Sequence, residues 1–142
     1  VLLKLNDSFI AFEYKVIMEK TKIFFNIINI IFIVLYIFPG SILGLLFYGE
    51  LGKQPQLTPD FMLFSSNHVY AFLVLSIIGL FAYYKTNKKN ILKYLIASSI
   101  FLEILHIVIP NRSFQYSDLF GNIIGVLISI LIFSTYNFWR KK

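Results

Sequence analysis

The chain has 142 residues, of which 58% are hydrophobic and 14% charged, with a net charge of +6 and a mean hydropathy of +0.75. This many polar groups are too few to cover the surface of a soluble globular protein, so the composition excludes that class. It predicts a protein whose main partner is the lipid bilayer. The lack of cysteine excludes disulfides and thiolate sites. The positive charge does not indicate a nucleic-acid partner, because the lysines cluster at the ends of apolar runs and form no basic patch on a folded surface.

Residues 1–22 have mixed polarity and are predicted to be a cytoplasmic N-terminal segment. Met18 lies shortly before the first apolar run, at the place where a natural start of translation is expected. We therefore interpret residues 1–17 either as an upstream extension or as a short interfacial helix. Residues 23–142 are predicted to be one transmembrane domain.

Four apolar runs in this domain are close to the length of about 20 residues that crosses the hydrocarbon as a helix. They cover residues 23–48, 67–84, 91–109 and 119–139. Pro39 and Gly40 interrupt the first run, so we expect a kink there or a helix end near Leu43. A spanning segment must satisfy its own backbone hydrogen bonds. The prediction is an all-α integral membrane protein with four transmembrane helices in a bundle.

The basic residues predict the orientation of these helices. All of the 13 Lys and Arg residues except Lys53 and Arg112 lie before the first run, at residues 85–93 or at the C-terminus. The positive-inside rule then places both termini and the Lys-rich connection in the cytoplasm. Residues 50–66 and 110–118 are expected outside, and the protein is predicted to be a multi-pass protein of the cell membrane.

Polar residues recur near the outer ends of the last three runs, and ionisable groups at such positions are typical of functional sites. The candidate ligand-binding residues are His68, Glu103, His106, Arg112, Asp118 and Asn122. Glu103 is expected about 9 Å below the end of its helix, at about 1.5 Å per residue. Helical spacing gives two polar stripes, one through Ser99, Glu103 and His106 and one through Asp118, Asn122, Gly125 and Ser129. We expect the stripes to face each other in a pocket that opens outward beneath residues 111–113.

The same residues carry a resemblance to a known family. Glu103-x-x-His106, then Pro110-Asn111-Arg112-Ser113, then Asp118-x-x-x-Asn122-x-x-Gly125 resemble the signature of the VanZ-like membrane proteins. In that family the first motif usually ends in Gln, and an Asp-Lys pair commonly precedes the His that matches His68. The resemblance covers residues 67–134. It implies a small multi-span bacterial protein of the cell envelope, in a family whose named member is associated with glycopeptide-antibiotic resistance and has no generally established biochemical activity.

Structural explanations also exist for the candidate residues. Asp118 can cap the start of the last helix. Arg112 can snorkel to the interface or pair with Asp118. His68 alone can be an interfacial histidine with satisfied hydrogen bonds. A purely structural explanation is weakest for Glu103, because a buried carboxylate must be paired, hydrogen-bonded or protonated.

Three functions remain open at this point. The first is an accessory or binding protein in which Arg112 grips a carboxylate or phosphate of a lipid-linked or other anionic envelope component. The second is an intramembrane enzyme that uses Glu103 as the candidate catalytic acid or base. The third is a subunit of a proton-coupled transporter or flippase. No cofactor and no metal are predicted, although His68, Glu103, His106 and Asp118 together form a donor set suited to zinc.

Overall fold

The computed structural model describes the backbone of residues 2–140 and the side chains of residues 12–140. The element order is α1 (Leu2–Ile37), α2 (Ile42–Tyr48), α3 (Ser66–Leu105) and α4 (Tyr116–Trp139). Within these residues the extended structure is one isolated bridge between Phe61 and Phe64, so the predicted all-α fold is confirmed. Lys141, Lys142 and the side chain of Lys4, which contribute to the predicted orientation, lie outside the described residues.

Three helical segments are long and apolar enough to cross a membrane. They are Phe12–Ile37, Ser66–Leu105 and Tyr116–Trp139. Their outward faces are apolar and exposed, for example at Ile30 and Leu131. Exposed apolar faces of this extent are typical of contact with lipid. The chain is therefore a membrane-embedded helical protein by length and composition.

The helix α3 is two arms joined at Asn87. Asn87 has φ −153° and ψ 53°, which are not helical values. A straight helix would separate His68 from Glu103 by about 50 Å at about 1.5 Å per residue, yet side-chain atoms of the two residues lie within 4.8 Å of each other. The chain therefore folds back at Asn87 into antiparallel arms, 66–86 and 88–105. The sequence predicted a longer break between these arms, over residues 85–90.

The first apolar run, predicted as one span over residues 23–48 with a kink at Pro39 or a helix end near Leu43, is interrupted at Pro39 and Gly40. Helix α1 ends at Ile37, and the seven-residue α2 begins at Ile42. Pro39 lacks a backbone N–H and disfavours helical geometry in the residue before it. Gly40 has a φ of +106°, a conformation that is open to glycine and rare in other residues. In the other direction α1 continues to Leu2, so residues 2–22 belong to the same helix as the apolar run.

The boundaries around the polar residues also differ from the prediction. The second arm of α3 ends at Leu105, with His106 as its C-cap, because the chain turns toward Pro110, which cannot continue a helix. Glu103 therefore lies in the last turn of the arm, and the predicted depth of about 9 Å below the helix end is wrong. Helix α4 begins at Tyr116, three residues before the predicted start.

Helix α4 packs closely on the first arm of α3. A Cβ atom added at Gly121 would lie 2.8 Å from the carbonyl oxygen of Ser65, and one added at Gly125 would lie 2.5 Å from that of Val69. Both distances are far below van der Waals contact. The small residues thus allow the close approach that their spacing predicted, and this contact brings the start of α4 beside His68.

We expect Gly125→Ala to destabilise the protein by about 1–3 kcal/mol, because the added methyl meets backbone atoms that cannot rotate away. Thermal unfolding in detergent, followed by the fraction that remains monodisperse on size exclusion, measures the effect. Gly52→Ala is the matched control, since a Cβ there meets nothing within 4 Å. Equal melting temperatures for the two variants would contradict the proposed close packing.

Candidate functional site

Tyr36, from the last turn of α1, lies at the centre of the polar cluster. Its hydroxyl oxygen is 2.7 Å from His68 Nδ1, accepts a hydrogen bond from Asn122 Nδ2 at 2.7 Å and donates one to Glu103 Oε2 at 3.1 Å. A tyrosine hydroxyl donates one hydrogen bond and accepts two. Tyr36 therefore links both arms of α3 to α4, a role that no sequence pattern predicted.

Glu103 is fully buried, with 0% of its surface exposed. Besides Tyr36, its carboxylate accepts a hydrogen bond from the backbone N–H of Gln115 at 3.0 Å. His106 Nδ1 lies 3.3 Å from the same Oε2 atom that Tyr36 contacts. Each carboxylate oxygen thus has a partner, as a buried charged group requires.

The protonation of His106 follows from its second ring nitrogen. His106 Nε2 lies 3.1 Å from the backbone carbonyl oxygen of Tyr36. A carbonyl only accepts hydrogen bonds, so Nε2 carries the proton. In a neutral imidazole the lone pair then lies on Nδ1 and faces the Glu103 carboxylate.

The same reasoning orients Asn122 and His68. Asn122 Nδ2 donates to the carbonyl oxygen of Ser99 at 3.1 Å, which identifies the nitrogen of the amide. Its Oδ1 therefore faces His68 Nδ1, at 2.9 Å, and since Oδ1 only accepts, Nδ1 carries the proton. His68 Nε2 is the remaining nitrogen, and it lies 3.4 Å from Asp118 Oδ2.

The capping role considered for Asp118 is wrong. The N-cap of α4 is Gln115, which makes no side-chain cap bond, and Asp118 lies within the first turn. Its carboxylate accepts a hydrogen bond from the Ser117 hydroxyl at 3.3 Å and faces His68. A carboxylate in the first turn is favourable next to the helix dipole, but the free amides of the helix do not explain its position.

Arg112 contacts the end of α1. Its Nε donates to the carbonyl oxygen of Phe38 at 3.1 Å, and Nη2 donates to that of Leu35 at 3.3 Å. Basic groups commonly satisfy the last carbonyls of a helix in this way. Among residues 12–140 no carboxylate lies within salt-bridge distance of Arg112, so the pairing with Asp118 considered from the sequence does not form. Burial lowers the pKa of Arg112, and the negative charges of Glu103 and Asp118 oppose that shift.

A cavity of about 460 Å³ lies against Arg112. Polar groups from several segments line it, including Ser41, His106, Ser113 and Asp118. A smaller cavity of about 170 Å³ is lined by His68 and Asp118 among others. Five of the six predicted polar residues therefore form one cluster that is connected through Tyr36. The sixth, Arg112, lies in the wall of the larger cavity and is bonded to the end of α1.

The cluster also contains a set of atoms with the chemistry of a metal site. One ligand atom from each of His68, Glu103 and Asp118 lies within 4.8 Å of the other two. His106, which the sequence grouped with them, is not in this set. Its Nε2 is bonded to the carbonyl of Tyr36.

We expect Tyr36→Phe to lower stability by about 1–3 kcal/mol, because it leaves buried groups of Glu103 and Asn122 without a partner. Tyr70→Phe is the control: its hydroxyl lies 3.2 Å from Thr58 Oγ1 at an exposed position, where a lost hydroxyl costs about 0.5 kcal/mol or less. Thermal unfolding of both variants in one detergent measures the difference. A loss for Tyr70→Phe as large as that for Tyr36→Phe would contradict the central role of Tyr36.

Comparisons with protein-family models, curated proteins and solved structures find no match to this chain. The resemblance to the VanZ-like proteins therefore stays a prediction from the motifs around Glu103, Arg112 and Asp118. What the protein does must be inferred from the chemistry of its own cluster and cavities.

Proposed function

We propose that this protein is a VanZ-like, four-span protein of the cell membrane that binds an anionic group of an envelope component at its extracytoplasmic face. The observation that carries the proposal is the position of Arg112 in the wall of the 460 Å³ cavity. Two of its five N–H groups are bonded to the carbonyls of Leu35 and Phe38. Three N–H groups are left for a ligand.

The hydrogen bonds to α1 favour anion binding because they hold the guanidinium in one orientation. A planar, preorganised fork matches a carboxylate or a phosphate with two parallel hydrogen bonds. Asn111, directly before it, has a φ of +60°, which asparagine tolerates better than most residues. The turn at Asn111 directs the side chain of Arg112 toward the end of α1.

The surroundings of the cavity favour a ligand with an apolar part. Ile107 and Val108 directly follow His106, which lines the cavity, and they are 67% and 75% exposed. Exposed apolar residues beside a polar cavity match an amphipathic ligand with a charged head and a lipid chain. An anionic lipid or a lipid-linked envelope precursor has this chemistry.

A second candidate is an enzyme that acts on such a ligand. The supporting observation is the contact of Glu103 with His106, whose ring lines the cavity. A paired carboxylate and imidazole is a typical arrangement for general acid–base catalysis. Turnover would depend on the charge of Glu103, whereas binding through Arg112 would not.

The binding proposal predicts that Arg112→Lys weakens the complex with short-chain phosphatidic acid at least about tenfold, which corresponds to about 1.4 kcal/mol. Lysine keeps the charge and loses the fork. Native mass spectrometry of the detergent-solubilised protein measures the bound fraction, with diacylglycerol as the uncharged ligand. Lys53→Gln is the control, because Lys53 is exposed and bonded to Glu50.

Unchanged affinity in Arg112→Lys and Arg112→Ala would rule out Arg112 as the anion site. Glu103→Gln separates the two candidate functions in the same assay. A pure binding site keeps its affinity in that variant. An enzyme loses conversion of the bound lipid, which a shift in the mass of the released ligand would report.

The four-span topology predicts opposite labelling of the segment before α3 and of the residues next to the fold-back at Asn87. The natural chain has no cysteine, so single-cysteine variants report one site each. We expect Gln56→Cys to react with a membrane-impermeant maleimide in intact cells. Lys89→Cys should react only after permeabilisation, because Lys89 lies on the basic, cytoplasmic side. Labelling of Lys89→Cys in intact cells would overturn the topology.

A further inference from the structure

We propose that His68, Glu103 and Asp118 bind a divalent transition-metal ion. The proposal does not rest on anion binding by Arg112. It rests on the placement of one imidazole and two carboxylates, from both arms of α3 and from α4, with ligand atoms within 4.8 Å of one another. The residues come from distant parts of the chain, so the helix packing itself assembles the donor set.

The distance between His68 and Asp118 supplies the first argument. His68 Nδ1 faces Asn122 Oδ1 at 2.9 Å, so Nε2 is the ring nitrogen that faces Asp118. His68 Nε2 and Asp118 Oδ2 are 3.4 Å apart. Ligands bound to a tetrahedral zinc ion at about 2.0–2.1 Å are separated by about 3.3–3.5 Å.

Glu103 supplies the third ligand. A point equidistant from three atoms that are at most 4.8 Å apart lies within about 2.8 Å of each. A shift of at most about 1.2 Å in the Glu103 side chain brings all three to the coordination distances of about 2.0–2.2 Å. A dication also balances the charges of the two carboxylates, which reduces the cost of burying Glu103.

The neighbouring hydrogen bonds resemble those that orient metal ligands. Metal-bound histidines usually donate their other ring N–H to an acceptor, as His68 Nδ1 does to Asn122. The Glu103 carboxylate is held by the backbone N–H of Gln115. These hydrogen bonds fix the orientation of the His68 ring and of the Glu103 carboxylate.

The chemistry of the donors selects the class of ion. One nitrogen and two carboxylate ligands suit Zn²⁺ or Mn²⁺, and the set has no soft sulfur ligand that would favour Cu⁺. His68 and Asp118 line the cavity of about 170 Å³. Water or a ligand can therefore complete the coordination from that side, as in sites that keep an open position.

The test uses the full chain, purified in detergent with a tag that contains no histidine and stripped with a chelator. Zn²⁺ or Mn²⁺ is added, free ion is removed by gel filtration, and elemental analysis counts the bound metal. We expect about one ion per chain in the unaltered protein. His68→Ala and Asp118→Asn should each bind at least about tenfold more weakly.

Glu50→Gln is the control for surface carboxylates, because Glu50 is exposed and bonded to Lys53. Unaltered protein that binds no metal above the buffer background would overturn the proposal. Binding that is unchanged in both ligand variants would do the same. If a variant fails to fold, the unaltered protein is loaded with Co²⁺ and its visible spectrum is recorded. Absorption bands too weak for four- or five-coordinate Co²⁺ would refute coordination by these residues.

Discussion

The buried carboxylate of Glu103 is the constraint on which the packing of this protein depends. A carboxylate with 0% exposure is tolerated only when its oxygens are hydrogen-bonded and its charge is balanced. Its partners come from the end of α1, from the C-cap of α3 and from the segment before α4. These three chain segments must therefore meet at one depth, and the turn after Ile37, the fold-back at Asn87 and the helix start at Tyr116 are the local geometries that allow it.

Two backbone carbonyls determine the electrostatics of the cluster. The carbonyl of Ser99 orients Asn122, and the carbonyl of Tyr36 orients His106. As a result the second nitrogen of each imidazole faces a carboxylate, Nε2 of His68 toward Asp118 and Nδ1 of His106 toward Glu103. The contact between His68 and Asp118 borders the smaller cavity.

Part of this arrangement could be predicted from sequence and part could not. Apolar runs predicted the helices, and helical spacing predicted that Asn122 would face the stripe of Ser99 and Glu103, which its bond to the Ser99 carbonyl confirms. Tyr36 carried no signal, because it is one of nine tyrosines and lies in a run where aromatic residues are expected at the membrane interface. The partners of Arg112 were also hidden, since they are backbone carbonyls that any residue would offer. The predicted depth of Glu103 below the helix end was wrong because Ile107 and Val108 extend the apolar run beyond the end of the helix.

The break at Asn87 has a consequence for the biogenesis of the protein. His68 emerges from the ribosome on the first arm, well before Glu103 on the second and Asp118 on α4. Until the second arm folds back and α4 packs beside it, the imidazole has neither carboxylate as a neighbour and only Tyr36 on α1 as an earlier partner, and a polar group with few partners is costly in an apolar environment. The shortness of the link at Asn87 favours early pairing of the two arms, because closing a short loop costs little entropy. The hairpin of α3 is thus suited to form as one unit before α4 packs against it.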